Sequence, residues 1–250
     1  MKPVYEKEFP VTAAMVDRHG RLRPSQLLAL LQQVAGDHSA LLGTDREKLM
    51  ERSLFWAVIR HRVQITRLPE VGETLTATTW PMPTTRTTFP RSTVVTDSRG
   101  NELFRGISLW VLMDANTRAM VLPGKSGVVV EGQLTGSELA VPGSLAPRTL
   151  EHSTTRTVRY SDLDVNGHMN NCRYLDWVTD LLPGDFHGAH PMAEFTLCYL
   201  SEAREQERLD LHWELDSEGN LTVDALREGV ESTGHGRVFS ARVLFENGVL

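Results

Sequence analysis

The stretch YSDLDVNGHMNN, residues 160–171, holds two aspartates, three asparagines and a histidine. If it is extended, its spacing of two places Asp164, Asn166 and His168 on one side of the backbone. An acid, an amide and an imidazole can together move protons and bind a polarised carbonyl group. The spacing therefore predicts a hydrolytic site, with Asp162 in a structural role.

Two other interpretations compete for the same residues. D-x-D-x-N-G matches the start of a calcium loop, with Asp162, Asp164 and Asn166 at the first, third and fifth positions. The twelfth position, where such a loop needs a bidentate carboxylate, is Arg173, and a cation there argues against calcium binding. Asp and Asn before a helix are also ordinary caps and turn residues, and the residues alone leave that interpretation open.

The elements that must position these residues begin with two predicted helices. The first runs from Pro24 to Gly43, PSQLLALLQQVAGDHSALLG, where apolar residues recur at the helical period, Pro suits the first turn and Gly suits the end. The second, NNCRYLDWVTDLLPG, starts near Asn170 and ends at the Pro-Gly pair. Its apolar stripe consists of Cys172, Leu175, Val178 and Leu182.

After each helix the apolar period changes to two, which predicts strands. In the first half these are FWAVIRHRVQITRL, ETLTATTW, RSTVVTDSRGNELFRGISLWVLMD and TRAMVL. In the second half they are EFTLCYL, ERLDLHWELDSEGNLTVDALREG and GRVFSARVLFE. The segments DSRGN and DSEGN are predicted as turns between strands.

The order is thus the same in both halves: a short lead-in, a long helix and several antiparallel strands. A fixed offset aligns Asp17, Gly20, Leu22, Leu28 and Leu31 with Asp164, Gly167, Met169, Leu175 and Val178. This predicts a duplicated α+β architecture, with a sheet curled around a helix in each half. The boundaries are residues 1–124 for the first repeat, 125–149 for a Gly-, Ser- and Pro-rich surface linker, and 150–250 for the second repeat.

Bulk composition narrows the class of protein. The chain has 250 residues, 40% hydrophobic and 23% charged, which is typical of a globular protein. Its net charge of −6 argues against non-specific nucleic-acid binding. Only two cysteines, no signal-peptide pattern and no long apolar run predict a cytoplasmic protein that is not in a membrane.

SDLDVNGHMNNCRYLDWV closely resembles the signature of the acyl-acyl-carrier-protein thioesterases, S-D-x-D-x-N-x-H-x-N-N followed by a Tyr. LLQQVAGDHSALLG, TWPMPTTRTTFPR and WVLMDANTRAMVLP also resemble segments of that family, in the expected order. The resemblance covers nearly the whole chain. It implies a double hot-dog fold, two tandem repeats of a long helix wrapped by an antiparallel sheet. It also implies hydrolysis of fatty acyl thioesters on acyl carrier protein, with no metal or cofactor.

By this resemblance the catalytic Asp, Asn and His fall on Asp164, Asn166 and His168. A further acid follows a strand in the family pattern T-L-E-Y-R-R-E-C, and TLCYLSEA places it at Glu202. Three positions depart from this pattern: Leu200 and Ser201 replace an arginine pair, and Ala203 replaces the cysteine. A cysteine nucleophile at that position is therefore excluded.

The predicted mechanism is carboxylate-assisted: Asp164 or Glu202 activates water or attacks the thioester directly. His168 and Asn166 would orient the partners, and backbone amides at the helix start near Asn170 would bind the oxyanion. Cys172, four residues after His168, is expected to be a buried apolar residue instead of a nucleophile. The other histidines lack metal-ligand spacing.

The first half has Arg21 opposite His168 and is therefore predicted to have no active site. It is expected to supply walls for the acyl chain, with Leu31 and Trp56 as candidates. Because carrier proteins are acidic, docking should use a basic surface. The candidate groups are Arg60, Arg62 and Arg67, or Arg86 and Arg91.

Two other functions are alternatives to hydrolysis. A hot-dog dehydratase acting on 3-hydroxyacyl thioesters would use a similar His and acid, and a non-catalytic acyl-binding protein would use neither. A homodimer is an alternative to a monomer.

Overall fold

The computed structural model describes residues 3–230 and 236–246. It separates into two compact units. One comprises residues up to Arg23 together with Ala29–Pro142, and the other comprises Pro24–Leu28 together with Gly143 onward. Each unit contains one antiparallel sheet and a helix next to a tight turn.

The sheet of the first unit has the strand order β1-β3-β4-β5-β2, with the short β6 paired to β5. Its strands are β1 (Tyr5–Pro10), β2 (Leu54–Ile65), β3 (Thr74–Pro81), β4 (Phe89–Thr96), β5 (Glu102–Asp114) and β6 (Met120–Val121). The predicted strands are present, and the DSRGN turn closes with a bond from the Asp97 amide to the Asn101 carbonyl oxygen at 2.9 Å. The predicted lead-in is itself a strand, β1.

Helix α1, Pro24–Leu41, agrees with the predicted first helix. Pro24 occupies its first turn, and Gly43, with φ of +67°, follows its end. Gly106 in β5 has no side chain, and a Cβ atom there would lie 3.1 Å from Leu31 Cδ1. This close approach packs the helix against the sheet. The short helices of this unit are α2 (Arg46–Met50) and α3 (Pro123–Ser126).

The second unit repeats this sheet order as β7-β9-β10-β11-β8. Its strands are β7 (His152–Thr157), β8 (Met192–Tyr199), β9 (Arg208–Leu215), β10 (Asn220–Arg227) and β11 (Arg237–Phe245). The DSEGN turn joins β9 and β10, with the Asp216 amide bonded to the Asn220 carbonyl oxygen at 3.0 Å. The predicted duplicated α+β architecture is confirmed at the level of element order.

The helix of the second unit is shorter than predicted. Helix α4 covers only Arg173–Thr179, and a separate helix α5, Gly184–Ala189, follows. Thr179 Oγ1 donates to the Asp176 carbonyl oxygen, and Pro183 cannot donate a backbone bond, so the α-helical ladder stops before the Pro-Gly pair. Tyr174 of α4 packs edge-on against Phe239 of β11, with ring centroids 4.9 Å apart.

The predicted linker has little regular structure beyond its start, but its first part is held to the first unit. The Gln133 amide donates to the Pro81 carbonyl oxygen at 3.0 Å, and Trp80 Nε1 donates to Glu138 Oε1 at 3.0 Å. Val128 is buried in the core of that unit. Among the helices of residues 3–230 and 236–246, none is both long and apolar enough to cross a membrane.

Candidate active site

The segment that carries Asp164, Asn166 and His168 is a tight turn, which corrects the extended geometry predicted from the spacing of two. The Gly167 amide donates to the Asp164 carbonyl oxygen at 3.0 Å, and the Asp164 amide donates to the His168 carbonyl oxygen at 2.9 Å. Gly167 has φ of +74°, a conformation that favours glycine. Asp and Asn-Gly stabilise turns through local bonds, and here these bonds replace the extended backbone.

Asp164 and Asn166 contact each other within this turn. The Asn166 amide donates to Asp164 Oδ1 at 2.8 Å, and Asn166 Nδ2 donates to Asp164 Oδ2 at 3.2 Å. Asp164 is half-buried, whereas Asn166 is exposed. Because each carboxylate oxygen accepts a bond, the orientation of the Asp164 side chain is set by the turn itself.

The loop after β8 brings Glu202 to His168. His168 and Arg204 form an antiparallel β-bridge, and the Met169 amide donates to the Ala203 carbonyl oxygen at 2.8 Å. In this arrangement His168 Nε2 lies 3.1 Å from Glu202 Oε2. The two side chains are 20% and 41% exposed, so the pair is partly sheltered yet open to a substrate. An imidazole bonded to a carboxylate is an arrangement suited to general acid–base chemistry.

Arg227, at the end of β10, holds the loop that presents Glu202. Its Nη2 donates to the Glu202 carbonyl oxygen at 2.6 Å, and its Nη1 donates to Ser201 Oγ at 3.0 Å. Its Nε lies 3.3 Å from Glu207 Oε2. The sequence analysis missed this residue; the only related signal was that Ser201 stands where the family pattern has an arginine.

Tyr174 supports the same loop from α4. It is buried, and its hydroxyl forms a hydrogen bond with the Ala203 backbone. Burial is the main reason that its pKa is raised above the ordinary value for tyrosine. Tyr174 thus remains a neutral structural contact between α4 and the loop of Glu202.

Three of the backbone amides near Asn170, where the oxyanion site was predicted, are already hydrogen-bonded. The Asn170 amide donates to the Asp162 carbonyl oxygen, and the Arg173 amide donates to the Asn170 carbonyl oxygen, both at 2.8 Å. The Cys172 amide donates to Asn170 Oδ1 at 2.9 Å. These three amides are occupied by the turn and its cap, so an oxyanion site at this helix start would need another donor and stays a prediction.

Cys172 has the buried position expected from the apolar stripe. Burial raises the pKa of its thiol to about 12, which disfavours the reactive thiolate. Cys198 is also buried and is not part of a disulfide. Neither environment is that of a nucleophile.

The first unit contains a turn with the same backbone as the site turn. The Gly20 amide donates to the Asp17 carbonyl oxygen at 3.1 Å, and the Asp17 amide donates to the Arg21 carbonyl oxygen at 2.8 Å. Gly20 has φ of +76°. Arg21 therefore occupies the backbone position that His168 occupies in the second unit.

The loop opposite the first turn also matches its counterpart. The Leu22 amide donates to the Pro69 carbonyl oxygen at 2.7 Å, and Arg21 forms a β-bridge with Glu70. These bonds place Leu68 at the position of Glu202. The first unit thus has the scaffold of the site without its imidazole or its carboxylate.

Instead, the first unit has a cavity of about 360 Å³. Its walls include Trp56, Phe89 and Trp110, with Arg91 among its polar residues. Arg91 is only 7% exposed. The prediction that Arg91 contributes to a docking surface is therefore wrong, because β4 turns its side chain inward.

The other predicted basic residues differ in their surroundings. Arg67 makes two bonds to Glu73, at 2.7 and 2.8 Å, and Arg60 donates to the Pro142 carbonyl oxygen. Arg86 is exposed. Within residues 3–230 and 236–246, no group of three or more His, Cys, Asp or Glu side chains is placed to hold a metal ion.

Comparison with known proteins identifies the family. Residues 2–122 match the profile of the acyl-ACP thioesterase N-terminal domain, and residues 146–238 match that of the acyl-ACP thioesterase C-terminal domain. The chain belongs to the acyl-ACP thioesterase family. This confirms the resemblance on which the site residues were assigned.

Individual relatives of this acyl-ACP thioesterase family member are distant. A chloroplastic acyl-acyl-carrier-protein hydrolase of Cuphea viscosissima is 24% identical over 231 residues, which is 86% of this chain and 56% of that protein. A chloroplastic palmitoyl-acyl carrier protein thioesterase of Gossypium hirsutum is 26% identical over 214 residues, 80% of this chain and 52% of that protein. The chain thus spans about half the length of the curated relatives that it matches.

Solved structures share the fold over the full chain. An acyl-ACP thioesterase from Bacteroides thetaiotaomicron has a TM-score of 0.86 and 25% identity, with 98% of each chain covered. A 12:0-ACP thioesterase from Umbellularia californica has a TM-score of 0.80 and 24% identity, again with 98% of each chain covered. The predicted double hot-dog fold is confirmed by these neighbours.

Proposed function

We propose that the protein hydrolyses the thioester between a fatty acyl chain and acyl carrier protein, with Asp164, Asn166, His168 and Glu202 as the catalytic residues. The observation that carries the proposal is the 3.1 Å contact between His168 Nε2 and Glu202 Oε2. Family membership supports the substrate class. The dehydratase and the non-catalytic binding protein are not favoured, because the named relatives are hydrolases and thioesterases.

In the proposed reaction the His168–Glu202 pair activates water. Glu202 accepts a bond from the imidazole, which orients the ring and stabilises the charge that forms when the ring takes a proton from water. The hydroxide attacks the thioester carbonyl carbon, and the thiolate leaves as the tetrahedral intermediate collapses. A thiol ionises near the ordinary cysteine pKa of about 8.5, so its departure needs less proton donation than that of an alcohol.

Asp164 and Asn166 have a different role in this proposal. The two hydrogen bonds between Asp164 and Asn166 hold both side chains in fixed orientations within the turn that also carries His168. From there the Asn166 amide can orient the substrate carbonyl, and the Asp164 carboxylate can orient the water. Direct attack by Asp164 is the covalent alternative. Trapping an acyl adduct on Asp164 during a single turnover would support that alternative and exclude the activated-water mechanism.

We propose that residues 1–124 form the repeat that supplies walls for the acyl chain, residues 125–149 the linker, and residues 150–250 the catalytic repeat. The apolar walls of the first-unit cavity, including Trp56, support this division. We also propose a cytoplasmic protein with acyl carrier protein as its partner, and no nucleic acid, membrane, metal or cofactor. The two cysteines are buried and are not joined in a disulfide, which agrees with a reducing compartment.

A panel of acyl carrier protein and acyl-CoA thioesters tests the function directly. Free fatty acid should be released from carrier-bound substrates, and His168→Ala should reduce release by about 10² to 10⁴-fold without loss of fold. No release from any thioester by folded protein would reject hydrolysis. Sedimentation of the same preparation would distinguish a monomer from a homodimer.

A further inference from the structure

Arg91 carries a charge in a place where charges are rarely found without compensation. Its side chain is almost fully buried and lines the first-unit cavity. Its Nη1 lies 3.0 Å from His38 Nδ1 and donates to Thr79 Oγ1 at 3.3 Å. The two partners are a ring nitrogen and a hydroxyl group, and neither is a carboxylate. Among the described residues no carboxylate contacts the guanidinium group.

Burying a cation without a counter-charge costs free energy, because the charge loses its hydration. The same loss of hydration favours the uncharged form of the group. Desolvation lowers the pKa of Arg91 to about 10. The cavity also contains Asp45, but Asp45 Oδ1 caps helix α2 by accepting from the Glu47 and Lys48 amides. This acidic residue of the cavity lining is thus engaged in capping α2.

An indole N–H in the same cavity lacks an acceptor. Trp110 lines the cavity, and its Nε1 is buried without a hydrogen-bond partner in the described part of the chain. Trp56 differs, because its Nε1 donates to the Thr44 carbonyl oxygen at 2.8 Å. The cavity therefore combines apolar walls with a buried cation that contacts no carboxylate among the described residues and with one indole N–H that has no acceptor there.

We propose that this cavity binds a free fatty acid, with its aliphatic chain against Trp56 and Phe89 and its carboxylate on Arg91. A carboxylate supplies the missing negative charge and presents acceptors for both Arg91 and Trp110. An alcohol of the same length supplies an acceptor without charge. Bound in this way, the acid occupies the space proposed for an acyl chain and so restrains further turnover.

The same chemistry has a second source. A dicarboxylic acyl thioester carries a carboxylate at the end of its chain away from the thioester. Either this carboxylate or the single carboxylate of a free fatty acid could bind Arg91. The shared recognition element is an aliphatic carboxylate, and the two sources are separable because only one of them is a thioester.

The first arm of the test measures binding and needs no thioester, so it is independent of the proposed function. Octanoate and 1-octanol are titrated against the full chain while tryptophan fluorescence is followed, because two tryptophans line the cavity. Octanoate should bind at least about tenfold more tightly than 1-octanol, since a charged hydrogen bond exceeds a neutral one. Equal affinities would overturn the proposal without any variant.

Arg91→Met removes the charge while keeping much of the side-chain volume, and it should abolish the preference for octanoate. Arg46→Met is the matched control, because Arg46 lines the same cavity but is exposed. It should leave the preference intact. If Arg46→Met abolished the preference and Arg91→Met retained it, the carboxylate would lie at the cavity mouth and the proposal would be wrong. Arg91→Lys keeps the charge if Arg91→Met does not fold, and it should retain a preference.

The second arm compares hydrolysis of an octanoyl thioester with that of an octanedioic half-thioester. Octanoate binding without preference for the half-thioester identifies the free acid as the ligand. Preferred hydrolysis of the half-thioester, lost in Arg91→Met, identifies the end of a dicarboxylic chain. Hydrolysis of both at equal rates, together with equal binding of octanoate and 1-octanol, rejects the carboxylate site but leaves the proposed hydrolysis standing.

Discussion

Two turns in this protein have the same backbone and different chemistry. In both, an aspartate opens the turn, a glycine with positive φ closes it, and the following residues bond to a loop that leaves a strand. After the turn the first unit has Arg21, where the second has His168. Across the loop the first unit has Leu68, where the second has Glu202. The scaffold thus holds its shape without the proposed catalytic side chains, and the proposed function depends on which residues are placed on it.

Exchanging the residues after the two turns should have the largest effect. His168→Arg places in the second unit the residue that the first already accommodates, so folding should survive. The proposed base is lost, and kcat should fall about 10³-fold or more. The measurement is steady-state hydrolysis of a carrier-bound thioester, with a thermal melt of the same sample.

Arg21→His is the reciprocal control and should leave kcat unchanged, because Leu68 supplies no carboxylate there. If His168→Arg kept most of the activity, the assignment of His168 to the reaction would be wrong.

Removing the charge of Glu202 should lower kcat somewhat less than replacing His168 does. Glu202→Gln keeps the shape of the side chain but loses the carboxylate that orients and stabilises the imidazole, so kcat should drop about 10²-fold. Glu205→Gln, at an exposed position three residues along the same loop, serves as control. Equal losses in both variants would indicate a general charge effect instead of a specific pair.

The third comparison concerns the arginine that holds the loop after β2 in the first unit and the one that holds the loop after β8 in the second. In the first unit Arg67, within the loop, binds Glu73, whereas in the second Arg227 reaches across from β10 to Glu207 and the Glu202 backbone. Arg227→Ala should lower kcat about tenfold by loosening Glu202. The two side chains of this ion pair are only 33% and 29% exposed and Glu207 Oε2 is buried, so the melting temperature should also fall, and kcat is measured well below it.

Arg67→Ala loses the equivalent ion pair and should leave kcat unchanged. Ser201→Arg combined with Arg227→Ala restores an arginine at the position equivalent to Arg67 and should recover part of the lost activity. If Arg67→Ala and Arg227→Ala reduced kcat equally, the effect would be one of stability and not of positioning.

The smallest predicted effect concerns backbone strain. Gln206 has φ of +66°, and its counterpart in the first unit is Gly72, with φ of +90°. Gln206→Gly should stabilise the fold by about 0.5–1 kcal/mol, because the left-handed conformation costs a non-glycine residue more than glycine loses in entropy. Urea unfolding measures the gain, and Gly72→Ala should show the opposite sign. A loss of stability in Gln206→Gly would mean that the Gln206 side chain makes a needed contact.

Sequence reasoning succeeded where the signal is local. Helix α1 was predictable because Pro24, the apolar period and Gly43 all lie within its own length. The turns at Asp97 and Asp216 were predictable because Asp and Gly make their bonds within five residues. The repeat was predictable because the aspartate and glycine of each turn recur at the same offset.

It failed where two local rules compete. The spacing of two predicted an extended segment with Asp164, Asn166 and His168 on one side. The same residues also favour a turn, and the structure has the turn. The same competition shortened the second helix, where Thr179 bonds back to the backbone and Pro183 interrupts the ladder. The alternation of β4 likewise gave no sign of which of its faces would be buried, and Arg91 was misplaced on the surface.

The sequence by itself determined the family, the order of the elements and the turn that carries three of the proposed catalytic residues. These features depend on bonds between near neighbours in the chain. Only the tertiary structure decided that Glu202 meets His168, that Arg227 rather than a loop arginine holds Glu202, and that Arg91 lies inside a cavity. Such contacts join distant residues, and their partners are selected by how sheets, helices and loops pack, which no short segment encodes.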